Sequence, residues 1–506
     1  MTLIQIFDGY NTIGGNKIYL EEKDEGFFLD FGMNFKKYGD FFQEFISPRI
    51  PRGIHDLLQL NLIPKLNIYR KDLIPSDTNT SSFPSLNVNA ILLSHAHMDH
   101  CGNIGLLSTN YPIIASPPTI TLLKAMLDCS SSMLGSDVAY YSLKSPHNDK
   151  RILKTEKYKE YGRNFICTEP FSKTFQEFLT TTFKSRTKFT EGNLMDLIEF
   201  STNLEIKAYE VDHSIYGATG YIISGDNTIA YTGDFRLHGK IGEKSEEFMK
   251  EAKDASILII EGTRAAREDV SESEEIVYEN CLKAAEDVKG LIIADFTARN
   301  FERLEIFKLI AEKVDRTLII TPKDAYLLKA LEMADNINRI RDLRVYKDLK
   351  ATTKGWEQIL LNSESELSYI DPSEISKNQE KFIICFSFYE IKNLLDINPS
   401  KGMYIYSSSE AFEEESEFDF LRLYNWLKYF GFEIVGFEVF EEVNKFRPRF
   451  TKGYHASGHA SKSDLIKVID YIDPDIIIPV HTDNPEWFTN SYDKSILLND
   501  RKKYIG

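Results

Sequence analysis

Metal-ligand-type side chains stand again and again at the C-terminal end of an apolar run in this chain. Ala90-Ile91-Leu92-Leu93 leads into His95-Ala96-His97-Met98-Asp99-His100. Glu205-Ile206-Lys207-Ala208-Tyr209 leads into Val211-Asp212-His213, Ile229-Ala230-Tyr231 into Gly233-Asp234, and Ile476-Ile477-Ile478 into Pro479-Val480-His481. Short apolar runs of this kind read as buried strands. A fold that gathers several such strand ends can aim their side chains into one pocket from a rigid scaffold. Any one of the later residues alone would serve equally well as a cap or turn residue. The hexapeptide is different, because three imidazoles and a carboxylate fall within six residues of a chain that has only ten histidines. That pattern is far more restrictive than a lone histidine, and imidazole with carboxylate suits zinc or a similar divalent ion.

The 506 residues suffice for two or three domains with full cores. The net charge of −17 argues against a surface coated in positive charge for indiscriminate nucleic-acid binding, while leaving room for a local basic channel. The five cysteines, Cys101, Cys129, Cys167, Cys281 and Cys385, are scattered and form no C-x-x-C, which fits reduced thiols rather than a disulfide framework or a cysteine zinc site. No apolar stretch is long enough to cross a bilayer, and the N-terminus shows no basic start or cleavage signature. The expectation is a cytoplasmic protein without a membrane partner.

Up to about residue 265 short strands alternate with turns and a few helices. From about 270 to 445 the rhythm becomes helix and strand in turn, with helices expected at 274–288, 302–314, 324–334 and 418–430 and strands at 291–294, 318–321 and 382–386. This alternation predicts a mostly parallel sheet covered by helices. No G-x-G-x-x-G opens any of the helices, so a dinucleotide role has no support. If His459 and His481, which follow this block, share a pocket with His95 and His213, the middle block is an insertion and the first domain is discontinuous. Residues 141–189 read as a surface excursion with helices of its own.

The motifs resemble a known family. His95-Ala96-His97-Met98-Asp99-His100, His213 and Gly233-Asp234, with Leu29-Asp30-Phe31-Gly32 before them, are similar to the motifs of the metallo-β-lactamase fold. Ile259-Ile260-Glu261-Gly262-Thr263, Ser457-Gly458-His459-Ala460-Ser461 and Pro479-Val480-His481 resemble the later motifs of the β-CASP nucleases within that fold, ribonuclease J-like and cleavage-and-polyadenylation-endonuclease-like members above all. The resemblance implies an α/β protein: a metallo-β-lactamase αββα sandwich formed by residues 1–265 and 448–506, with a mostly parallel α/β (β-CASP) domain inserted at 266–447.

The resemblance also implies two zinc ions, with Mn2+ or Mg2+ as alternatives. His95, His97 and His213 would hold one, Asp99, His100 and His481 the other, and Asp234 would bridge them. A carboxylate can span two cations about 3.5–4 Å apart, and a water shared there ionises near neutral pH. Asp30 would orient a ligand imidazole, or equally cap a turn. His459, held by Glu261, would be the general acid, so the catalytic set is His459, Glu261 and Asp99.

Weaker substrate candidates are His455, Ser457, Ser407, Ser408, Arg447 and Arg449, the last two within an alternation of cations and rings at 445–450 that suits single-stranded nucleic acid. Residues 150–159, 184–188 and 296–300 are further candidate contacts. The helix expected after Ser461 has a start that could face a phosphate. Phe386-Ser387-Phe388-Tyr389 and Ser407-Ser408-Ser409 stand where ribonuclease J-type proteins usually have a glycine-rich serine loop, which counts against 5′-phosphate recognition. The implied activity is zinc-dependent hydrolysis of RNA phosphodiester bonds, with RNA and a homodimer as partners. A DNA-directed nuclease, a small-molecule metallohydrolase and a non-catalytic subunit of an RNA-processing complex are the alternatives. His481 favours RNA, because family members acting on DNA carry valine there.

Overall fold

The computed structural model describes residues 1–506 apart from 44, 131–132, 184–185, 268–271, 298, 363–366, 409–414, 443–444 and 500–501, together with the side chains of 359, 361–362, 415–419, 441–442 and 445–447. Ser409, Lys184 and Ser185 of the basic stretch at 184–188, Ala298 of the candidate at 296–300 and the side chain of Arg447 therefore lie outside the described residues.

Two sheets face each other. One has eight strands, in the order Leu194–Asp196, Phe165–Cys167, Ile113–Ala115, Ala90–Leu92, Glu25–Phe31, Lys17–Glu22, Leu3–Asp8 and Lys503–Ile505. The other has five, in the order Glu205–Glu210, Thr219–Ser224, Thr228–Tyr231, Ile257–Glu261 and Ile476–Val480. Side chains alternate across each strand. Phe27 and Leu29 belong to the core between the sheets, with Tyr221, Ile223, Ile259 and Ile478, while Phe28 belongs to the core on the other face, which Phe31 joins because Asp30, at φ +59°, breaks the alternation. The outer face of the five-stranded sheet is covered by helices Gly242–Glu251 and Lys462–Ile472, through Phe248, Leu465 and Ile469. This is an αββα sandwich. Strands from the two ends of the chain close it: Ile476–Val480 runs parallel to Ile257–Glu261, and Lys503–Ile505 pairs with Leu3–Asp8.

Between those returns lies a third sheet of seven strands, in the order Ser368–Ile370, Arg344–Tyr346, Thr317–Ile320, Phe382–Cys385, Leu291–Asp295, Gly402–Tyr406 and Phe432–Val435. Every neighbouring pair in it is parallel. Its central strands Leu291–Asp295 and Phe382–Cys385 are buried along their whole length and apolar but for Asp295, as a sheet covered on both faces requires. The helices run over Glu274–Ala285, Phe301–Lys313, Pro322–Asp335 and Glu415–Tyr429, within three residues of the expected bounds. A hairpin, Phe437–Glu442 with Lys445–Phe450, straddles position 447.

Residues 141–189 differ from the expected excursion. Only one helix, Lys173–Thr180, is present among its described residues, and Phe165–Cys167 is a buried strand parallel to Ile113–Ala115 in the eight-stranded sheet. The run Phe165-Ile166-Cys167 is too short to announce itself as a core strand amid polar sequence. All five cysteines are buried and free, and no helix among the described residues is long and apolar enough to cross a membrane.

A buried ion network ties the sandwich to the third sheet's helices. Arg236 is fully buried; its guanidinium donates to Asp212 (3.1 Å), Glu274 (3.2 Å), Glu302 and the Ser457 carbonyl (3.1 Å). Arg303, also fully buried, donates to Glu274 (3.0 Å) and to Ser407. Truncating Arg236 to Ala would strand three buried carboxylates, and loss of one partner of such a set costs about 3–5 kcal/mol. Arg236→Ala is expected to lower the urea midpoint accordingly at unchanged m-value, and a loss below about 1 kcal/mol would refute that weight.

Candidate metal centre

The hexapeptide leaves strand Ala90–Leu92 through a turn in which His97, extended at φ −75° and ψ 145°, caps the short helix Met98–Cys101. That helix rests on the end of strand Glu25–Phe31, and it can do so only because residue 32 is glycine. A Cβ there would lie 1.6 Å from the Asp99 carbonyl oxygen. Gly233, at φ +57°, turns the chain so that Asp234 enters the same space. His481 itself adopts φ +51°, an uncommon conformation for a non-glycine residue, with its amide donating to the Gly9 carbonyl at 2.8 Å.

Three imidazole nitrogens converge on one side. His95 Nε2 and His213 Nε2 lie 3.0 Å and 3.2 Å from His97 Nδ1. Burial, and for His95 and His97 the neighbouring imidazoles, push these three below their usual range, His213 to about 4, so they are neutral. His213 Nδ1 donates to the Gly458 carbonyl at 2.6 Å, which leaves Nε2 with a bare lone pair facing inward. His95 Nδ1 likewise lies 3.0 Å from the Ser94 hydroxyl. On the other side, Asp99 Oδ2 is 3.1 Å from His481 Nε2 and 3.8 Å from His100 Nε2. Asp234 Oδ2 sits centrally, 3.0 Å from His100 Nε2 and 3.7 Å from both His95 and His481 Nε2.

Orientation comes from a layer behind these residues. Asp30, fully buried and at φ +59°, accepts from His100 Nδ1 (2.7 Å), the Ser94 amide and hydroxyl (2.7 Å each) and the Tyr231 hydroxyl (2.6 Å). Its alternative reading as a turn cap gives way to that of a histidine orienter. Thr263 holds His481: Nδ1 lies 2.8 Å from its hydroxyl, which in turn donates to the His481 carbonyl at 3.2 Å. Ser94, Tyr231 and Thr263 escaped the sequence reading because serine, tyrosine and threonine beside a strand end carry no distinctive signal. Asp30→Asn would leave His100 without its acceptor and is expected to weaken metal affinity by ~10–100-fold. Metal content after dialysis against graded chelator would measure this, and wild-type retention would refute the role of Asp30.

The residues fit divalent cations. His100 Nε2 and Asp234 Oδ1 are buried without a hydrogen-bond partner, an arrangement that costs free energy unless something binds there. Burial would depress His100, yet Asp234, Asp99 and Asp30 overcome it and raise its pKa well above 6.5, so the cavity centre attracts positive charge. Four sets of three donors, His95/His97/His213, His95/His100/Asp234, Asp99/His100/His481 and Asp234/His459/His481, have their donor atoms within 4.8 Å of one another.

Beside the cluster, His459 Nδ1 lies 3.2 Å from Glu261 Oε1. Glu261 is fixed in turn by the Ala460 amide (3.2 Å) and the Thr263 amide (3.0 Å). Burial would lower the His459 pKa, but Glu261 and then Asp234 outweigh it and push the imidazole up to about 9.

The weaker candidates separate. Ser457 accepts from the His459 amide at 3.2 Å and shapes that loop. His455 lies by Ser407 and Arg303, its pKa pushed down to about 3 by burial and then Arg303. Ser407 is fully buried, its hydroxyl bonded to the Tyr454 carbonyl (2.6 Å) and Arg303, so it offers nothing to a ligand. Ser408 meets the exposed Thr297 at 3.1 Å. Arg449 is exposed and stacks over Phe440 at 4.7 Å. At the helix beginning at Lys462, Ser461 and Asp464 form a capping box that takes up two of the amides and sets a carboxylate there, which disfavours a phosphate.

Sandwich, inserted parallel sheet and convergent ligands together define a metallo-β-lactamase-fold chain of the β-CASP type. Within that class it is ribonuclease J-like. Residues 445–486 match the RMMBL family, described as a Zn-dependent metallo-hydrolase RNA specificity domain. The chain is 23% identical to ribonuclease J of Methanocaldococcus jannaschii over 94% of its own length and 90% of the relative's. It is 22% identical to ribonuclease J of Pyrococcus abyssi (95% and 90%) and 24% identical to that of Mycoplasma genitalium (95% and 68%). A solved structure of a protein of unknown function from Enterococcus faecalis V583 covers all of both chains with a TM-score of 0.68 at 22% identity, and shows the same fold.

Proposed function

We propose that this chain is a metal-dependent ribonuclease that hydrolyses RNA phosphodiester bonds. The observation that carries this is the convergence of His95, His97, His213, Asp99, His100, His481 and Asp234, from segments hundreds of residues apart, in a chain similar to ribonuclease J proteins along nearly its whole length. His95, His97 and His213 would hold one zinc ion and Asp99, His100 and His481 a second, with Asp234 between them. Two such cations supply Lewis-acid charge for the phosphoryl oxygens and bring water near ionisation at neutral pH. Asp30 and Thr263 keep Nε2 of His100 and His481 turned inward. Asp99, the one carboxylate of the cluster that is partly exposed, meets the solvent side where water enters.

As an oxygen nucleophile adds at phosphorus, the bond to the leaving ribose oxygen breaks and that oxygen needs a proton. His459 faces the cluster in the charged state required to give one, held there by Glu261. The domain division that accompanies this reading keeps 1–265 as the first part of the sandwich, but ends the inserted domain after Phe450, since the hairpin at 437–450 is one paired unit. Single-stranded RNA is the substrate form that Arg449 stacked on Phe440 suits.

Metal analysis of the purified chain, together with matched RNA and DNA oligonucleotides labelled at the 5′ end, tests the proposal. Two metal ions per chain and faster RNA cleavage are expected. Faster DNA cleavage would transfer the reading to the DNA-directed class, and metal-replete protein inert on both would overturn it.

A further inference from the structure

A cleft of about 580 Å³ opens between the helix that carries Asp99 and His100 and the C-terminal strand ends of the seven-stranded sheet. That volume lies in the range of ligand sites. In parallel sheets such sites form outside the carboxyl ends of the strands, where the strand order changes direction. Here the chain passes from Leu291–Asp295 to one side and returns through Phe382–Cys385 to the other, and both ends face the cleft.

The lining is mostly apolar. Phe388 and Tyr389 stand at it as an edge-to-face pair with centroids 5.8 Å apart, and Tyr389 is 78% exposed. From the sheet ends come three carboxyls, Asp295, Asp324 and Glu390, with Lys323 and the hydroxyls of Thr321, Ser387 and Ser408 beside them. Two of the carboxyls fill helix starts, Asp324 in a capping box with Thr321 and Glu390 in one with Ser387. Each box takes up amides at its helix start and sets a carboxylate there, which disfavours a phosphate.

The cleft has a second cation, Arg299, at its border with the metal centre. Its guanidinium meets the Met126 sulfur at 3.3 Å, and no carboxylate pairs with it among the described residues, although its charge is felt at His97 and Asp99. A guanidinium without a carboxylate partner, next to a site that handles phosphodiesters, is the complement of a phosphate.

We infer that the cleft receives an unpaired, amino-bearing nucleobase of the RNA strand, its ring on Phe388 and Tyr389 and its exocyclic amine on the cleft carboxyls, while Arg299 holds the phosphate linking that nucleotide to the one at the metals. This rests on the ribonuclease reading for the source of the strand. Burial, with Glu390 adding, pushes the Asp295 carboxyl up to about 7 against the Tyr404 hydroxyl, which donates to Oδ2 and leaves Oδ1 for a ligand. A carboxyl part-protonated at neutral pH both accepts from an amine and donates to a ring nitrogen, which is the pattern cytosine and adenine present and uracil does not.

The test is direct binding to the metal-loaded full chain. Cytidine, uridine, cytidine monophosphate and inorganic phosphate are titrated by calorimetry, beside RNAs with C or U flanking the cleaved bond. Cytidine is expected to bind more tightly than uridine, and the monophosphate more tightly than cytidine. Tyr389→Ala should weaken cytidine roughly 5- to 100-fold, the worth of one stacked base. Arg299→Gln should erase the advantage of the monophosphate without moving cytidine. Equal binding of cytidine and uridine, phosphate binding without nucleoside binding, or no nucleoside binding overturns the inference, even where RNA is still cut. Cytidine binding in a chain that cuts no RNA would instead overturn the ribonuclease reading and keep the pocket.

Discussion

Asp234→Asn is expected to remove metal-dependent RNA cleavage and at least one of the two cations proposed for the centre. Asp234 Oδ2 lies within 4.0 Å of a nitrogen on each of His95, His100, His213, His459 and His481. No other carboxylate among the described residues of the cluster approaches histidines of both halves. Burial works against its charge, yet His100, then His481 and His459, hold it well below the usual carboxylate range, so it is present as the anion. Its second oxygen, Oδ1, is buried and unpartnered. An amide in its place keeps the shape but surrenders the charge and one acceptor. The loss should therefore exceed the ~10–100-fold typical of groups that merely support a ligand. The check is kcat/KM on a labelled RNA together with metal content, with circular dichroism confirming the fold. Activity within tenfold of wild type, or two ions retained, would remove Asp234 from the centre.

The same residue illustrates what could be read from the chain alone. His95–His100 declared the site, because the density of ligand-type side chains is itself improbable, and Asp234 and His481 joined it through their place after apolar runs. The alternating helix and strand pattern gave the inserted parallel sheet, since its central strands are short, mostly apolar runs and the long helices between them show their period. Phe165–Cys167 was illegible because three residues carry no period, and only pairing to Ile113–Ala115 makes them a core strand. Arg236 and Arg303 were illegible for a different reason. A buried guanidinium looks like a surface one in sequence, and its burial is a fact about Asp212, Glu274 and Glu302 arriving from three distant segments. Ser407 misled in the opposite sense: a serine after a strand reads as exposed, but Arg303 draws it inside.

His459→Ala tests the chemistry rather than the scaffold. General acid catalysis contributes ~10²–10⁴-fold, and only where the leaving oxygen needs a proton. A ribose hydroxyl is a poor leaving group and needs it, whereas a nitrophenolate does not. His459→Ala is therefore expected to lose ~10²–10⁴-fold on RNA and far less on bis(p-nitrophenyl) phosphate, with metal content unchanged. Glu261→Gln should follow the same pattern more mildly, because the imidazole remains but loses the carboxylate 3.2 Å away that keeps it charged. If His459 instead acted by holding metal through its 3.9 Å approach to Asp234, both substrates would suffer alike and the ion count would fall. Equal losses on the two esters would thus assign His459 to the metal shell and leave the departing oxygen to be protonated by solvent.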